Sequence, residues 1–241
     1  MKDLTKTQAR EPAYSAQVII AALNEAPGIG LTIAEMKDIL GDVPVLVVDG
    51  KSNDRTAQIA KNLGAKVIIQ NGEGKGDALA KAFQHVDPNV EYVILTDADY
   101  TYPAKHVPDM IKILEENPQF GMVCGNRFNS HLDKKALHNI FYVGNRMLAW
   151  AHNMLNGVPL SDPLTGLRVV RTEALQGLHL KSKSFDIEVE LNHAVERRGF
   201  TIGEIPILYR ERLGEKKLKI SHGVTILKRI LSEAVFPITT K

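Results

Sequence analysis

Val93-Ile94-Leu95-Thr96-Asp97-Ala98-Asp99 reads as an apolar strand that stops at two carboxylates one residue apart, ahead of Tyr100 and the turn-forming Pro103. At the carboxyl edge of a strand in an open α/β sheet, side chains project into the crevice where ligands bind. Two carboxylates there repel unless something cationic sits beside them. A divalent, oxygen-loving metal holding a diphosphate meets that need, since Mg²⁺ is typically bound by one or two carboxylates plus substrate phosphates. A solvated turn is the competing reading of an isolated Asp-x-Asp, so the surrounding sequence decides.

Upstream of this stretch the chain alternates. Strands are expected over Gln17–Leu23, Val43–Val48, Lys66–Ile69 and Tyr92–Thr96, with helices over Ile29–Leu40, Asp54–Leu63 and Gly76–Gln84. Helix Lys105–Glu116 and strand Gly121–Gly125 continue the series. The strands are short, rich in Val and Ile, and bounded by Gly, Asn, Asp or Pro; the segments between carry apolar residues at helical spacing. Such alternation predicts βαβ units, a mostly parallel open sheet and helices on both faces. Further on come a long helix over Lys134–Asn156, a short strand through Arg168-Val169-Val170, a helix over Ser184–Arg198, a strand over Phe200–Tyr209 and a last helix over Val224–Phe236.

The 241 residues, 44% hydrophobic and 24% charged, fit one α/β domain over 17–241 behind a short polar tail, 1–16. Within it, 17–127 reads as a nucleotide-binding half and 128–241 as an acceptor half. A net charge of +2 is too small for a nucleic-acid binder, although residues 201–241 hold eight Lys/Arg against four Asp/Glu. Cys124, the single cysteine, sits in an apolar run and reads as a small buried hydrophobe. No apolar run reaches the length of a membrane span, and the N-terminus lacks a signal-type core. A cytoplasmic chain, either free or peripheral on the cytoplasmic face of a membrane, is expected.

Other strand ends carry polar residues too. Leu23-Asn24-Glu25 follows the first strand in place of a Gly-x-Gly-x-x-Gly fingerprint. Asp49 ends the second strand, at a place for nucleobase or ribose contact, while Asp54 reads as a helix cap. Gly72-Glu73-Gly74-Lys75-Gly76 follows the third; its glycines permit close backbone approach and Lys75 could meet a phosphate, but no Lys-Ser or Lys-Thr makes it a P-loop.

In this order, Asn24-Glu25, Asp49 through Asp54, Lys75-Gly76 and Asp97-Ala98-Asp99 resemble the family 2 glycosyltransferases of the GT-A fold, and within them the dolichyl-phosphate hexose synthases, mannose synthases included. The resemblance runs from about Gln17 to Leu218. Gly125-Asn126-Arg127-Phe128, Asp162 to Arg168, Phe185 to Glu190 and Tyr209 to Leu218 look like later elements of the same group. The chain departs from it at Tyr100-Thr101-Tyr102, where the mannose synthases have Leu-Gln-His, and at Lys216, where Ser is common.

The resemblance implies metal-dependent, inverting transfer of a hexose from a nucleoside-diphosphate sugar, GDP-mannose in the first place, to dolichyl or another polyprenyl phosphate. Asp97 and Asp99 would serve Mg²⁺ or Mn²⁺, with Asp99 in direct contact. Leu23, Asn24, Glu25, Asp49, Lys75 and Ala98 would complete the nucleotide-sugar side. Arg127, Arg212 and Lys217 would grip phosphates, and Asp162, Arg168 and Glu188 fall on the acceptor side. Asp162, Arg168 and Glu190 have a structural alternative, a buried salt-bridge set.

An already anionic phosphate acceptor needs no catalytic base; a soluble sugar acceptor would, with Glu188 or Asp186 the first candidates. A GT-A enzyme using a UDP-sugar, with glucose or N-acetylglucosamine, and a non-catalytic binding protein of the same fold are the alternatives. A membrane surface or a membrane subunit is a further expected partner. Val224, Leu227, Leu231 and Val235 form an apolar stripe suited to a bilayer interface or to core packing, and the helix around Phe141 to Leu155, with Trp150, is a second site for lipid contact.

Overall fold

The computed structural model describes residues 13–129, 140–156 and 159–235. The tail through residue 12, the expected helical stretch 134–139 and Phe236 lie outside the described residues. Seven strands form one sheet: β1 (Ala16–Ala22), β2 (Val45–Asp49), β3 (Lys66–Ile69), β4 (Tyr92–Asp97), β5 (Phe120–Asn126), β6 (Arg168–Arg171) and β7 (Thr201–Pro206). Their spatial order is β3-β2-β1-β4-β6-β5-β7. All neighbouring pairs are parallel except those of β6, which runs antiparallel to β4 and β5.

The helices are α1 (Ala26–Leu40), α2 (Thr56–Asn62), α3 (Gly74–Phe83), α4 (Val107–Glu116), α5 (Ile140–Asn156), α6 (Thr172–Leu175), α7 (Ile187–Arg197) and α8 (Ile220–Val235). Strand alternation divides the core in two. Val18, Ile20, Val45, Val47 and Ile94 turn to one face, where Ile29, Ile33 and Met36 of α1 and Met110, Ile111 and Leu114 of α4 cover them. Ile19, Leu46, Val48, Val93 and Leu95 turn to the other, beneath Leu79 of α3 and Ile187, Leu191 and Val195 of α7. A side-chain period of two with both faces buried is what a mostly parallel sheet requires, and it explains why these strands read as continuous apolar runs.

From β1 the chain winds outward through β2 to β3, then returns to place β4 on the other side of β1. That reversal makes the carboxyl ends of β1 and β4 a topological switch point, where such sheets open a ligand crevice. The register aligns Asp97 beside Ala21 and Asp49 beside Ala22, so both acids flank the end of β1. The final strand ends at Pro206, short of the expected Tyr209. Residues beyond it turn back over the crevice: Arg210 N–H donates to Thr101 O and Leu213 N–H to Asp99 O.

Candidate active site

Asn24 leaves β1 in a left-handed conformation (φ 50°), which Asn tolerates, and Pro27 lies in the first turn of α1. The turn is tied to the one after β2. Asn24 N–H donates to Ser52 Oγ (2.9 Å), Asn53 N–H to Asn24 Oδ1 (2.9 Å) and Glu25 N–H to Thr56 Oγ1 (2.8 Å). Asp54 serves two helix starts, accepting from Thr56 N–H of α2 (2.9 Å) and from Ala26 N–H of α1 (3.1 Å). Asp49 is buried; its Oδ2 accepts from Ser52 N–H (2.9 Å), while Oδ1 has no partner among the described residues. Leu23 is exposed beside these groups and Ala98 is buried.

Asp97 and Asp99 stand in different surroundings. Asp97 Oδ1 lies 2.7 Å from Lys75 Nζ, whose other partner is Glu188 Oε1, also at 2.7 Å. Burial works to raise the Asp97 carboxyl, but Lys75 and the charges of Arg127 and Arg212 outweigh it and hold the pKa below the ordinary value. Burial alone would lower the Lys75 ammonium; its two carboxylates more than offset that and raise it. Asp99 is pushed the other way, by its own burial and by the charge of Asp97, against hydrogen bonds from Thr101. Its Oδ1 accepts from Thr101 Oγ1 (2.6 Å) and Thr101 N–H (3.2 Å), and the cation nearest Oδ2 is Arg212 at 3.7 Å.

Glycines allow this crowding. A Cβ on Gly28 of α1 would fall 2.6 Å from Ala98 O, and one on Gly166 would fall 2.5 Å from Asp97 Oδ2. The glycines around Lys75 lie against protein backbone. A Cβ on Gly76 would meet Ser182 O at 2.3 Å, so they admit the chain segment leading into α7. Lys75, at the start of α3, meets two carboxylates, Asp97 and Glu188.

The loop after β7 closes the crevice. Arg212 Nη2 lies 2.7 Å from Glu25 Oε1, and Lys217 Nζ lies 3.0 Å from the same oxygen and 2.8 Å from Asn24 O. Glu25 Oε2 is buried with no described partner, and burial is the main cause that raises the Glu25 pKa. Earlier in the loop Arg210 pairs with Glu35 of α1 through two bonds of 2.7 Å. Nothing in the sequence signals that pair: its members are far apart in the chain, and Glu35 belongs to no motif.

Arg127, expected to grip a phosphate, presents its guanidinium fork to Asp162 at 2.6 and 2.8 Å. Asp162 is fully buried, and Glu204 of β7 accepts from its N–H (2.8 Å) and from that of Ser161 (2.7 Å). The expected salt-bridge set of Asp162, Arg168 and Glu190 does not form as a unit. Arg168 is fully occupied inside the protein, donating to Pro163 O (2.7 Å), Thr165 O (3.0 Å) and Asn192 Oδ1 (2.5 Å). Glu190 accepts from the N–H groups of Lys181 (2.8 Å) and Ser182 (2.6 Å). Both base candidates are ion-paired, Glu188 with Lys75 and Asp186 with Arg229 (2.9 Å).

Around the crevice, Glu25, Asp49, Asp97, Asp99, Asp162 and Glu188 outnumber the cations Lys75, Arg127, Arg212 and Lys217. Such a cluster attracts a cation. No group of three or more His, Cys, Asp or Glu among the described residues is placed to hold a metal unaided. Asp99, with a raised pKa and one oxygen facing only a distant guanidinium, is the carboxylate suited to share a cation with a phosphate ligand.

A mostly parallel sheet with its crevice at the β1/β4 switch and an Asp-x-Asp at that edge has the architecture of the GT-A fold. The chain belongs to glycosyl transferase family 2, whose model matches residues 17–175. It is 33% identical over 216 residues to a dolichyl-phosphate hexose transferase of Haloferax volcanii, covering 89% of this chain and 91% of that one. An undecaprenyl-phosphate mannosyltransferase of Micrococcus luteus is 27% identical over 236 residues, with 92% and 91% covered. Among solved structures, glucosyl-3-phosphoglycerate synthase of Mycobacterium tuberculosis, in complex with Mn²⁺, UDP and glucosyl-3-phosphoglycerate, shares the fold at TM-score 0.69 and 20% identity, over 93% of this chain and 81% of that one. The same enzyme with Mg²⁺ and UDP aligns at TM-score 0.70 and 20% identity, over 93% and 80%.

Proposed function

We propose that this glycosyltransferase moves a hexose from a nucleoside-diphosphate sugar, with GDP-mannose the favoured donor, to dolichyl or another polyprenyl phosphate, inverting the configuration at C1. The names of the two curated relatives support a lipid-phosphate acceptor. The observation that carries the reading is the pairing of a basic loop with the acidic sheet edge: Arg212 and Lys217 arch over Glu25 and Asp99, while Glu188 and Asp186 are tied up in ion pairs.

In the reaction an oxygen of the acceptor phosphate attacks C1 of the sugar. The bond from C1 to the diphosphate oxygen breaks, and the nucleoside diphosphate leaves with that electron pair. A phosphate monoester is already anionic near neutral pH, so no side chain has to remove a proton. The protein's work is alignment and charge stabilisation. Asp49 Oδ1 and Glu25 Oε2, buried acceptors with no described partner, suit hydrogen bonds from the base and ribose. Arg212 and Lys217 exchange part of their contact with Glu25 for phosphate oxygens, and Lys75 positions Asp97. Arg127, held by Asp162, acts through its charge on the Asp97 side.

Asp99 and Asp97 are the residues that would hold Mg²⁺ or Mn²⁺. Bound there, the dication would offset the negative charge of the leaving diphosphate.

A radiolabelled-sugar transfer assay tests the proposal. It uses the purified protein, Mn²⁺ or Mg²⁺, dolichyl phosphate, and GDP-mannose, UDP-glucose or UDP-N-acetylglucosamine in separate reactions. Label entering the organic phase from one donor, and lost in Asp99→Ala, is the expected result. Transfer only to a soluble sugar would sink the lipid-phosphate reading, and a product of retained configuration would sink the single displacement.

A further inference from the structure

No described helix is long and apolar enough to cross a membrane, while the proposed acceptor is membrane-bound. Of the sixteen large hydrophobic side chains exposed among the described residues, ten lie on just two helices, α5 and α8. On α8, Ile220, Val224, Leu227, Leu231 and Val235 recur at helical spacing and are 40 to 66% exposed. The opposite face of α8 is the buried one, formed by Ile226, Ile230 and Glu233. Core packing, the competing reading of this stripe, is therefore taken by other residues of the same helix.

The pattern repeats on α5. Val143, Met147, Trp150 and Met154 form a second stripe, 43 to 67% exposed, while Ala149 and His152 face inward. The two helices pack on each other, with Leu148 of α5 set against the cluster that Ile226 and Ile230 of α8 build with Val189. The two helices are thus in contact, and each carries an outward apolar stripe.

Charge gives this surface a direction. The only acidic residue on either helix is Glu233, which is buried and ion-paired with Arg197 (2.6 Å) and Arg229 (3.4 Å). Its exposed charges are all positive: Arg146 on α5, Lys228 on α8, and Lys219 immediately before α8. Bulky apolar side chains with a tryptophan among them, fringed by cations and free of exposed carboxylates, match the boundary of an anionic bilayer. The basic loop that ends at Lys217 runs directly into α8, so docking this face would bring the loop's phosphate-binding residues near the lipid headgroups.

We infer that α5 and α8 form one membrane-contact face that seats the enzyme on an anionic lipid surface, with Met147, Trp150, Leu227 and Leu231 entering the headgroup–acyl boundary. Its purpose rests on the lipid-phosphate reading of the site, but its test does not. Trp150 is the only tryptophan in the chain, so its fluorescence reports on this face alone. The full-length protein is titrated with phosphatidylcholine vesicles, with and without phosphatidylglycerol, and the vesicles are then sedimented.

The expected result is a blue shift and co-sedimentation with the anionic vesicles. Partitioning should fall at least about tenfold in the double variant Met147→Glu/Leu231→Glu, whose changes lie on exposed positions. Unchanged emission with both lipids, or undiminished binding by the variant, overturns the inference. So does a lipid-indifferent dimer that the same variant dissociates, since a second copy would then cover the face. Transfer to a short, water-soluble polyprenyl phosphate needs no bilayer and separates the two claims. Vesicle binding without that transfer upholds the face and rejects the acceptor; transfer without vesicle binding does the reverse.

Discussion

Gly166 lies so close to Asp97 that a Cβ there would come within 2.5 Å of the Asp97 Oδ2. One residue from the late Asp162–Arg168 segment therefore sets the position of the first carboxylate of the Asp-x-Asp. Gly166 is not among the positive-φ residues, so alanine there meets a packing conflict and no backbone strain. Gly166→Ala is expected to turn the Asp97 side chain and lower kcat at least about tenfold with a small change in melting temperature, because misplacement of about 1 Å in such sites is costly. Steady-state kinetics beside a thermal melt decide it; unaltered kcat refutes the positioning role.

Among the described residues, Lys75 is the sole ion-pair partner of Glu188 and the main one of Asp97. Lys75→Met would leave both carboxylates without it, at a stability cost of roughly 3 kcal/mol in denaturant unfolding. Adding Glu188→Gln to Lys75→Met should recover part of that loss, since one stranded charge is removed. Two losses that simply add would show that the lysine does not couple them.

Much of the first half was legible because its signals are local. Val45–Asp49 and Tyr92–Asp97 are apolar runs that end in acids, and the sheet buries both of their faces. The clustering of Asp49, Asp97 and Asp99 at one edge follows from parallel βαβ winding, which the alternation implies. The partners of Lys75 and Arg127 were not legible in the same way. Both are long cations whose expected phosphate role and observed ion pairs draw on the same chemistry, and spacing along the chain cannot tell which anion arrives. The Glu35–Arg210 latch left no local trace either, since it forms only when the loop after β7 folds back over α1.

That latch gives a third prediction. Arg210 meets Glu35 through two 2.7 Å bonds and lies over the Tyr100 ring (4.2 Å), fastening the loop that carries Arg212 and Lys217. A double-mutant cycle with Glu35→Gln and Arg210→Gln should give a coupling on the order of 1 kcal/mol, as expected for a bidentate pair that is partly solvent-screened. The donor KM should rise in either single variant more than kcat falls, because the residues bind no substrate in the proposed mechanism and act on loop position. A donor KM equal to wild type in both would remove the latch from the mechanism.

His152 and His193 supply the pH dependence. Both are buried, with ring centroids 5.4 Å apart, between α5 and α7. Burial lowers the pKa of His152 to about 4 and, with the neighbouring His152 and Arg197 adding to it, that of His193 to about 3. The folded protein thus binds fewer protons at these sites than the unfolded chain, whose imidazoles titrate near 6.5. Their stability contribution is full above about pH 6.5 and is lost as pH falls through 4 and toward 3, on the order of 3 kcal/mol for each ring. Glu196 works against them: burial raises it to about 7, so its protonation favours the fold between that pH and its ordinary 4.5. It is one partly exposed group against two buried ones, so the net slope should follow the histidines. Unfolding free energies measured from pH 8 to pH 4 should therefore hold level at first and then fall below about 6.5. The fall should steepen in Glu196→Gln, which removes the opposing group, and flatten in His193→Gln; a profile that His193→Gln leaves unchanged would assign the acid sensitivity elsewhere.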